Sequence, residues 1–570
     1  MSDYEPIEGT KTPLSFRRSK KLILTLLLAV STVIGISTLA IRATHHRQQT
    51  CSNCGKYQPI EPAFNKSLDE ILYDKDYKKS LVDKLTGAIR IPTEVFDNTP
   101  APSVDIKPWK HFLELHDYLQ EQFPVVYENV KVEKIDQIGL LYTWEGSEKS
   151  LKPLILMAHQ DVVPVDPQTL DSWSHPPYEG FYDEETDVIY GRGSADIKSL
   201  VITHLETVEK LIKDGFQPKR TVLISLGCDE EAAGACAAKI SQHIYDRYGP
   251  DSIYAILDEG GSVAELPGGE FLGVPVSTEK GYLDAEITLF TPGGHSSVPP
   301  DHTSIGILSE LIVELEGDRY EIFVGEDNPA LNALQCFLEN TPNDSHRLRD
   351  LISSGNLKKA AEELDKIPEF KYLFKTSQAI DMISGGIKAN ALPESVTVLV
   401  NNRIAIHSSV NETLNHILRH VKEKADKFEL GIEIVNGRAS EAQNATVIKP
   451  ETPNGHFVVR LIDPLEPAPL SSSSNEVWDI MAGTTVNTYQ QKLFSNGSNV
   501  YVTPALGTGN TDTKSYWALT KNIYRYSGAL LVEDSREHTV DEKTTGKSVI
   551  SGVAFMYQFI VNVDKYAKGT

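Results

Sequence analysis

Residues 154–161 read LILMAHQD, an apolar run that ends in a histidine and an aspartate. Two further runs have the same form: Val222–Leu226 precedes GCDEE, and Ile253–Leu257 precedes DEGG. Short apolar runs bounded by glycine and acidic residues are typical of buried strands in an α/β domain. Ligands of open α/β sheets bind beyond the carboxyl ends of the strands, so the three runs predict one site at one edge of a sheet.

The 570-residue chain is long enough for more than one domain. Apolar runs alternate with helix-like segments from residue 66 onward. We expect an α/β/α catalytic domain built from residues 66–281 and 438–570, ending in a helix near 545–566. The net charge of −24 excludes a nucleic-acid-binding role, because phosphate binding needs clustered Lys and Arg.

A second domain interrupts the first. Tyr282–Phe290 alternates apolar and polar residues, and later segments follow as strand, helix and strand at Val396–Asn401, Leu414–Lys427 and Gly431–Val435. This pattern predicts an inserted ferredoxin-like α+β domain, the lid domain, over residues 282–437. A polar helical stretch at 330–375 is expected to form an extra part of the lid.

Leu22–Ile41 is an uncharged apolar run of about 20 residues, enough for a helix to cross a bilayer. A cleaved signal peptide is the main alternative, although its apolar region is typically ~7–15 residues. Basic residues crowd the amino side at 17–21, so residues 1–21 are predicted to be a cytosolic tail. Residues 22–41 would be a transmembrane signal anchor, and residues 42–65 a lumenal stalk open to cleavage.

Five N-x-[ST] sequons follow the apolar run and predict glycosylation in a lumen. They are Asn65, Asn343, Asn411, Asn444 and Asn496. The five cysteines cannot all pair with one another. Cys51 and Cys54 form a C-x-x-C pair, for which a local disulfide or two free thiols are favoured over a zinc or redox role.

Imidazole and carboxylate groups stand in the loops after the predicted strands and in two further segments. They are His159 in MAHQD, Asp196 in GRGSAD, Glu230 and Glu231 in CDEE, Asp258 in LDEGG, and His538 in REHTVDE. Each alone is compatible with a surface residue or a helix cap. Together they supply the ligands that zinc takes in hydrolases, including a carboxylate that paired metals can share.

The ordered series HxD, GRGSAD, DEE, DEG, GGHSSVP and a late His resembles the co-catalytic zinc family of aminoacylases and carboxypeptidases. The strings LMAHQDVVPV, KANALPES and GNTDTKSYW resemble the fungal vacuolar carboxypeptidases of that family. The resemblance covers roughly residues 60–570. It implies two Zn²⁺ per chain, with Asp196 bridging them, His159 and Asp258 completing one metal site, and Glu231 and His538 completing the other.

The resemblance also implies roles for residues around the metals. Asp161 would hydrogen-bond His159, and Glu230 would be the general base. His295 would stabilise the oxyanion, from the partner subunit in dimeric relatives, which implies a homodimer through the lid domain. Arg403 would grip the substrate carboxylate, although Asn401 stands where relatives carry aspartate. Asn390 and the turn at 509–512 would also contact substrate.

The expected function is a zinc metallocarboxypeptidase that hydrolyses the C-terminal peptide bond of short peptides of the Gly-Xaa type. Its location would be the vacuole lumen, as a type II membrane protein or after cleavage of the stalk. An N-acyl-amino-acid amidohydrolase using the same site is the nearest alternative, since both reactions cleave an amide beside a free carboxylate. A non-catalytic receptor on a peptidase fold is the remaining one.

Overall fold

The computed structural model describes residues 54–566, apart from 233, 342–345, 438–444 and 495–496. The predicted tail, anchor and first part of the stalk therefore lie outside the described residues. Within the described ranges, no helix combines the length and the apolar character that a membrane span requires.

The α-helices lie in both parts of the chain. They are Leu68–Tyr73, Lys75–Ile89, Lys110–Gln122, Pro124–Asn129, Lys198–Asp214, Ala235–Tyr248, Ser304–Gly317, Pro329–Asn340, His346–Ser353, Leu357–Leu364, Pro368–Lys371, Val410–Lys427, Glu476–Val486 and Gly546–Lys565. Short 3₁₀ turns lie at Lys107–Trp109, Pro167–Ser172 and Asp512–Ser515, and a π-helical turn lies at Asn487–Leu493.

The strands are numbered in chain order. They are β1 (Lys131–Ile135), β2 (Gly139–Trp144), β3 (Leu154–His159), β4 (Phe181–Asp183), β5 (Val188–Tyr190), β6 (Val222–Gly227), β7 (Ala255–Glu265), β8 (Phe271–Gly273), β9 (Val276–Glu279), β10 (Gly281–Phe290), β11 (Gly294–His295), β12 (Ser377–Gly385), β13 (Ala391–Leu392), β14 (Ser395–Ile404), β15 (Gly431–Asn436), β16 (Thr446–Lys449), β17 (His456–Leu465), β18 (Val500–Val502), β19 (Ala505–Gly507), β20 (Ile523–Leu530) and β21 (Lys543–Thr545).

The main sheet runs in the order β1-β2-β6-β3-β7-β20-β9-β19, with β8 and β18 joined to it beyond β7. Strands β6, β3, β7 and β20 are mutually parallel, as the three apolar runs predict. Successive residues of β3 pack into different cores: Leu156 faces helices Lys198–Asp214 and Gly546–Lys565, and Ile155 faces helix Ala235–Tyr248. Alternation along a strand thus produces the α/β/α layers.

The lid domain contains a second sheet, in the order β12-β14-β10-β17-β15-β16. Buried positions alternate along β10 and β14, and helices Ser304–Gly317 and Val410–Lys427 cover the apolar face. The predicted α+β form is therefore present. However, β16 and β17 belong to this sheet, so the lid continues beyond residue 437, the predicted end of the lid domain. The return strand pairs with β10, a long-range contact that local pattern does not reveal.

The helical stretch within the lid segment packs differently from the prediction. Helices from Pro329 to Lys371 bury Leu334 and Phe337 in a core shared with Leu272, Val276 and Leu506 of the main sheet. They therefore extend the catalytic domain at the β8 and β9 end of that sheet, and are not an extra part of the lid. Their apolar faces cover strands that would otherwise be exposed.

Two disulfides join four of the five cysteines. Cys54 bonds to Cys336 in helix Pro329–Asn340, and Cys228 bonds to Cys236. The expectation of a local Cys51–Cys54 disulfide or two free thiols is therefore wrong, because Cys54 has a distant partner. Of the sequons, Asn65 and Asn411 are exposed, and the asparagines at 343, 444 and 496 lie outside the described residues.

Candidate metal centre

The acidic and imidazole groups meet at the carboxyl ends of the parallel strands. His159 ends β3, Glu230 and Glu231 follow β6, and Glu259 lies on β7 beside β3. The loop that precedes helix Lys198–Asp214 contributes Asp196. His538 lies in the segment between β20 and β21, so it arrives from a region far along the chain.

Asp196 lies between two imidazoles. Its Oδ1 is 3.1 Å from His159 Nε2, and its Oδ2 is 2.9 Å from His538 Nε2. Glu231 Oε1 is 3.1 Å from the same His538 nitrogen. Although burial raises the pKa of Asp196, its hydrogen bonds with the two histidines bring that pKa below its ordinary value. The two oxygens of one carboxylate thus face two separate ligand pairs.

Glu259, and not Asp258, faces this group. Glu259 Oε2 is 3.5 Å from His159 Nε2, and ligand atoms of His159, Glu230 and Glu259 lie within 4.8 Å of one another. Asp258 is buried, and its Oδ2 has no hydrogen-bond partner. Adjacent residues of a strand point to opposite faces, so only one of the two acids can face His159. The predicted assignment of Asp258 to the first metal is therefore corrected to Glu259.

Asp161 contacts His159 as predicted, but mainly through its backbone carbonyl and not through its carboxylate. The backbone carbonyl of Asp161 accepts a hydrogen bond from His159 Nδ1 at 3.0 Å, and its carboxylate Oδ1 is 3.4 Å from that nitrogen. Its Oδ2 accepts the Glu231 backbone N–H at 2.9 Å. With the proton held on Nδ1, the Nε2 atom of His159 offers a lone pair to the centre.

Glu542 was not predicted as a site residue, although it stands in the same segment as His538. Its Oε1 accepts the backbone N–H groups of Gly193, Ala195 and Asp196 at 3.0, 3.0 and 3.1 Å. Its Oε2 accepts from Arg192 Nη1 at 2.6 Å. This buried carboxylate fixes the loop that presents Asp196. The motif GRGSAD gives no sign of so distant a partner.

The cluster holds more negative than positive charge in a buried place. Burial raises the pKa of Glu231 to about 7 and that of Glu259 to about 8, and it raises the pKa of Glu230 well above its ordinary value. His538 opposes them, because its hydrogen bonds with Asp196 and Glu231 raise its pKa to about 11. Buried carboxylates need compensating cations. A set of imidazole and carboxylate donors therefore fits bound metal, and zinc in particular.

The predicted lid residues form two separate groups. His295 on β11 pairs with Ala391, and the carbonyl of Asn390 accepts the Ser296 N–H at 3.3 Å, so His295 and Asn390 share one exposed hairpin. Arg403 is half-buried on β14, over the ring of Tyr282. Within the described part of the chain, no hydrogen bond or ion pair joins His295 or Asn390 to the metal-type cluster.

Arg403 does reach the predicted turn at 509–512. Its Nη1 donates to Asn510 Oδ1 at 3.3 Å, and Asn510 Nδ2 donates to the Lys280 carbonyl at 2.6 Å. The lid and the catalytic domain therefore meet at this turn. Asp512 in the same turn is buried, and neither carboxylate oxygen has a hydrogen-bond partner. Burial raises its pKa well above the ordinary value, and Asp161 adds to the shift.

Comparison with known proteins identifies the family. Residues 155–562 match the family described as Peptidase family M20/M25/M40. The chain belongs to this peptidase family. Carboxypeptidase S of Saccharomyces cerevisiae is 45% identical over 522 residues, which cover 90% of this chain and 89% of that protein. The N-fatty-acyl-amino acid synthase/hydrolase PM20D1 of Xenopus tropicalis is 30% identical over 516 residues, or 88% and 89% of the two chains.

Solved structures of other proteins share the fold. Human carnosine dipeptidase 1 superposes with a TM-score of 0.58 at 14% identity, over 89% of this chain and all of that chain. The M20 family metallo-carboxypeptidase Sso-CP2 of Sulfolobus solfataricus gives a TM-score of 0.56 at 17% identity, over 85% and 99%. The chain thus combines the fold of this peptidase family with groups of imidazole and carboxylate side chains that could hold metal.

Proposed function

We propose that this family member is a zinc metallocarboxypeptidase that removes the C-terminal residue from short peptides of the Gly-Xaa type. The observation that carries the proposal is Asp196, whose two carboxylate oxygens face His159 and His538 separately. The 45% identity with Carboxypeptidase S supports the reaction. Glu230 and Glu231 both lie in this cluster. Glu231 is the proposed metal ligand, and Glu230 is the proposed general base and acid.

Two zinc ions fit the donors. His159 and Glu259 would hold one ion, Glu231 and His538 the other, and Asp196 would be shared between them. Bound zinc supplies Lewis acidity, which lowers the pKa of water and polarises a carbonyl group. The protein supplies orientation: Asp161 and Glu542 hold His159, Glu231 and the Asp196 loop in place.

Glu230 is the proposed general base and acid. It lies half-buried beside His159 and Glu259, and it takes the proton of the attacking water on a carboxylate oxygen. It then gives this proton to the leaving amine. A residue that takes a proton from water and gives it to the leaving amine must be able to reach both. Glu230 follows the carboxyl end of β6, where the metal-type cluster lies, and this position allows both contacts.

His295 is the proposed donor to the oxyanion. Its Nδ1 accepts the backbone N–H of Ser297 at 3.1 Å, so the neutral ring carries its proton on Nε2. That nitrogen is the one able to donate to a developing negative charge. Arg403 is the proposed partner of the substrate carboxylate, because its guanidinium lies where the lid meets the catalytic domain, and Asn390 would contact substrate from the His295 hairpin.

Hydrolysis of N-acyl amino acids is the second candidate function. It is favoured by the 30% identity with the Xenopus tropicalis N-fatty-acyl-amino acid synthase/hydrolase over 88% of this chain. The two substrates share the scissile amide and the free carboxylate. They differ on the acyl side alone.

A lumenal location is proposed for the catalytic domain, with residues 22–41 as a type II anchor in the vacuole membrane and cleavage of the stalk as a route to a free form. Its support is the apolar run in the sequence and the two disulfides, which persist in oxidising compartments. Glycosylation at the five sequons belongs to the same proposal. Endoglycosidase treatment of the protein from its own cells tests it, since an unchanged mass contradicts a glycosylated lumenal domain.

A homodimer through the lid is proposed as well. Strand β12 is an edge strand of the lid sheet with Met382 and Ile383 exposed, and Ile387 beyond it is fully exposed. Such a strand offers unpaired backbone groups and apolar side chains to a second copy. Light scattering on the purified protein tests this proposal, and a monomer at micromolar concentration contradicts it.

The function is tested by assaying purified protein against N-blocked Gly-Leu and N-fatty-acyl leucine, with and without a chelator. We expect release of leucine from the peptide, loss of that activity on chelation, and its return with zinc. Release of leucine from the acyl substrate alone would assign the second function. No release from either substrate by zinc-loaded protein would contradict both.

A further inference from the structure

A cavity of about 120 Å³ lies beside the metal-type cluster. It is bounded by helices Lys198–Asp214 and Gly546–Lys565, the ends of β7 and β20, and the segment 531–537. The apolar part of its wall consists of Ile197, Leu200, Leu530, Leu531, Val532 and Val549. Alanine, glycine and small hydroxyl residues line most of the remainder, together with Asp534 and Glu537, so the interior is wide enough to admit a slender group.

The wall of this cavity is continuous in sequence with the proposed ligands. Ala195 and Ile197 flank Asp196, Gly260 follows Glu259, and Glu537 precedes His538. Three of the five proposed metal ligands thus have an immediate neighbour in the wall. A substrate whose amide lies at the metal-type cluster therefore has this cavity within reach of one of its two ends.

The charged residues of the wall indicate which end of the substrate, the acyl end or the carboxylate end, enters the cavity. Asp534 and Glu537 contribute carboxyl groups, and the neighbouring cations Arg536 and Lys543 lie 3.1 and 3.6 Å from Asp534 Oδ2. None of the lining residues is itself lysine or arginine, so a substrate carboxylate meets no cation in this wall that is not already paired with Asp534, whereas Arg403 offers one in the lid. The cavity is consequently matched to the acyl side of the scissile amide and not to the released amino acid.

We propose that this cavity is a subsite for an aliphatic group on the acyl side of the scissile bond. The inference rests on the proposed amide hydrolysis and specifies its substrate class. A cavity of ~150 Å³ holds a benzene molecule, so this one accommodates roughly four or five carbons. The group is either the first carbons of a fatty acyl chain or the side chain of the residue that precedes the scissile bond.

Two substrate series separate these sources. In the first, leucine carries acetyl, butanoyl, pentanoyl or hexanoyl groups; in the second, N-blocked Gly-Leu, Ala-Leu and Val-Leu are compared. Each buried methylene is expected to raise kcat/KM about fourfold until the cavity is full. A rise in the first series alone assigns the cavity to acyl chains, and a rise in the second alone assigns it to side chains. Flat dependence in both overturns the proposal.

The variant Gly552→Leu fills the cavity from helix Gly546–Lys565. A Cβ at Gly552 would lie 3.4 Å from Ala529 Cβ and 3.6 Å from Thr203 Cγ2, in ordinary contact, so the milder Gly552→Ala is compatible with folding. We expect the ratio of kcat/KM for pentanoyl-leucine to that for acetyl-leucine to fall severalfold in Gly552→Ala and to about one in Gly552→Leu. An unchanged ratio in both variants, with wild-type melting temperatures, overturns the proposal.

Gly317→Leu is the matched control, since Gly317 ends a lid helix and a Cβ there meets nothing within 4 Å. It should keep the wild-type ratio. If the proposed amide hydrolysis itself is wrong, zinc-loaded wild-type protein will cleave no member of either series. Cleavage of acetyl-leucine or blocked Gly-Leu with no chain-length dependence removes the subsite alone. If Gly552→Leu does not fold, the wild-type series and Gly552→Ala decide.

Discussion

Glu230 and Glu231 are neighbours in sequence, yet the structure gives them different surroundings. Glu231 shares His538 with Asp196, whereas Glu230 is grouped with His159 and Glu259. The variant Glu230→Gln keeps the size of the side chain and removes its ability to take a proton. We expect bound zinc to remain near two ions per chain and kcat to fall roughly 10²–10⁴-fold.

Metal analysis and steady-state kinetics on the same preparation measure this prediction. The exposed Glu265→Gln, on the same strand as Glu259, is the matched control and should behave as wild type. Loss of zinc in Glu230→Gln would show that Glu230 is a ligand and not the general base.

Asp258 and Glu259 are also adjacent acids of which one is proposed as a metal ligand and the other is not. Because Glu259 faces His159, Glu259→Gln should weaken one of the two metal sites and lower bound zinc toward one ion per chain. Asp258→Asn should keep both ions, since Asp258 lies off the cluster. Titration with a zinc-chelating dye distinguishes the two variants, and the reverse order of zinc loss would restore Asp258 as the ligand.

Part of the site could be predicted from the apolar runs, because His159 and Glu231 stand at or just beyond the ends of strands that these runs reveal, whereas Asp196 and His538 were predicted from the resemblance to the zinc family. His159, Asp196, Glu231 and His538 meet as expected. The choice between Asp258 and Glu259 could not be made, because it depends on which face of β7 each residue occupies. Glu542 could not be predicted for a different reason: three of its four hydrogen bonds go to backbone N–H groups, which leave no trace in residue type, and the fourth joins it to Arg192, 350 residues earlier in the chain.

At the scale of elements, Glu542 joins the segment between β20 and β21 to the loop that presents Asp196. Removing its carboxylate in Glu542→Ala leaves Arg192 and three backbone N–H groups without their acceptor. We expect the free energy of unfolding to fall by about 3–5 kcal/mol and zinc affinity to fall with it. Glu542→Gln keeps one oxygen acceptor and should lose less.

Urea denaturation and zinc titration measure these effects, with the exposed Glu533→Ala as the control from the same segment. Equal stability of Glu542→Ala and wild type would contradict the role assigned to Glu542.

The Cys228–Cys236 disulfide encloses the loop that carries Glu230 and Glu231. Replacing both cysteines by serine should loosen this loop, and we expect kcat/KM and zinc retention to fall. Cys54 and Cys336 lie away from the cluster and close a segment of 282 residues, so their replacement should lower stability, by up to about 5 kcal/mol, and leave kcat unchanged. Kinetics and thermal melting of the two double variants test this pair of outcomes, which an equal loss of kcat in both would contradict.

Among the elements, the strands that precede the site were the most predictable, since short apolar runs of five residues that stop at glycine, histidine or aspartate have few alternatives. The extent of the lid was less so. Strands β16 and β17 join the lid sheet through β15 and β10, and pairing at that separation is not encoded in local pattern. The helices at 329–371 were recognised as helices, but their packing partner depends on which strands the rest of the fold leaves uncovered.

For the whole molecule, two buried histidines link folding to pH. His204 Nε2 donates to the Met157 carbonyl at 2.9 Å, and His116 Nε2 lies 2.8 Å from Gln160 Oε1. Both contacts are made with residues at or beside the carboxyl end of β3. Burial lowers the pKa of each histidine to about 4. The unfolded chain takes up these protons near pH 6.5, while the folded chain does not until about pH 4. Stability is therefore complete above pH 6.5 and falls as the pH decreases toward 4.

In that window each histidine lowers the free energy of unfolding by about 1.4 kcal/mol for every unit by which the pH falls. For the pair, the loss between pH 6.5 and 4.5 is roughly 5 kcal/mol. The variant His204→Gln retains a donor for Met157 and removes the titration, so it should lose roughly half of that pH dependence. Urea denaturation of zinc-depleted protein at pH 7.5 and 4.5 measures it, and the variant His302→Gln, at an exposed histidine, controls for a change of residue type. An identical pH dependence in wild type and His204→Gln would contradict the assignment. In the lumenal location proposed above, the Cys54–Cys336 disulfide would offset part of this loss, because its contribution to stability does not depend on the titration of either histidine.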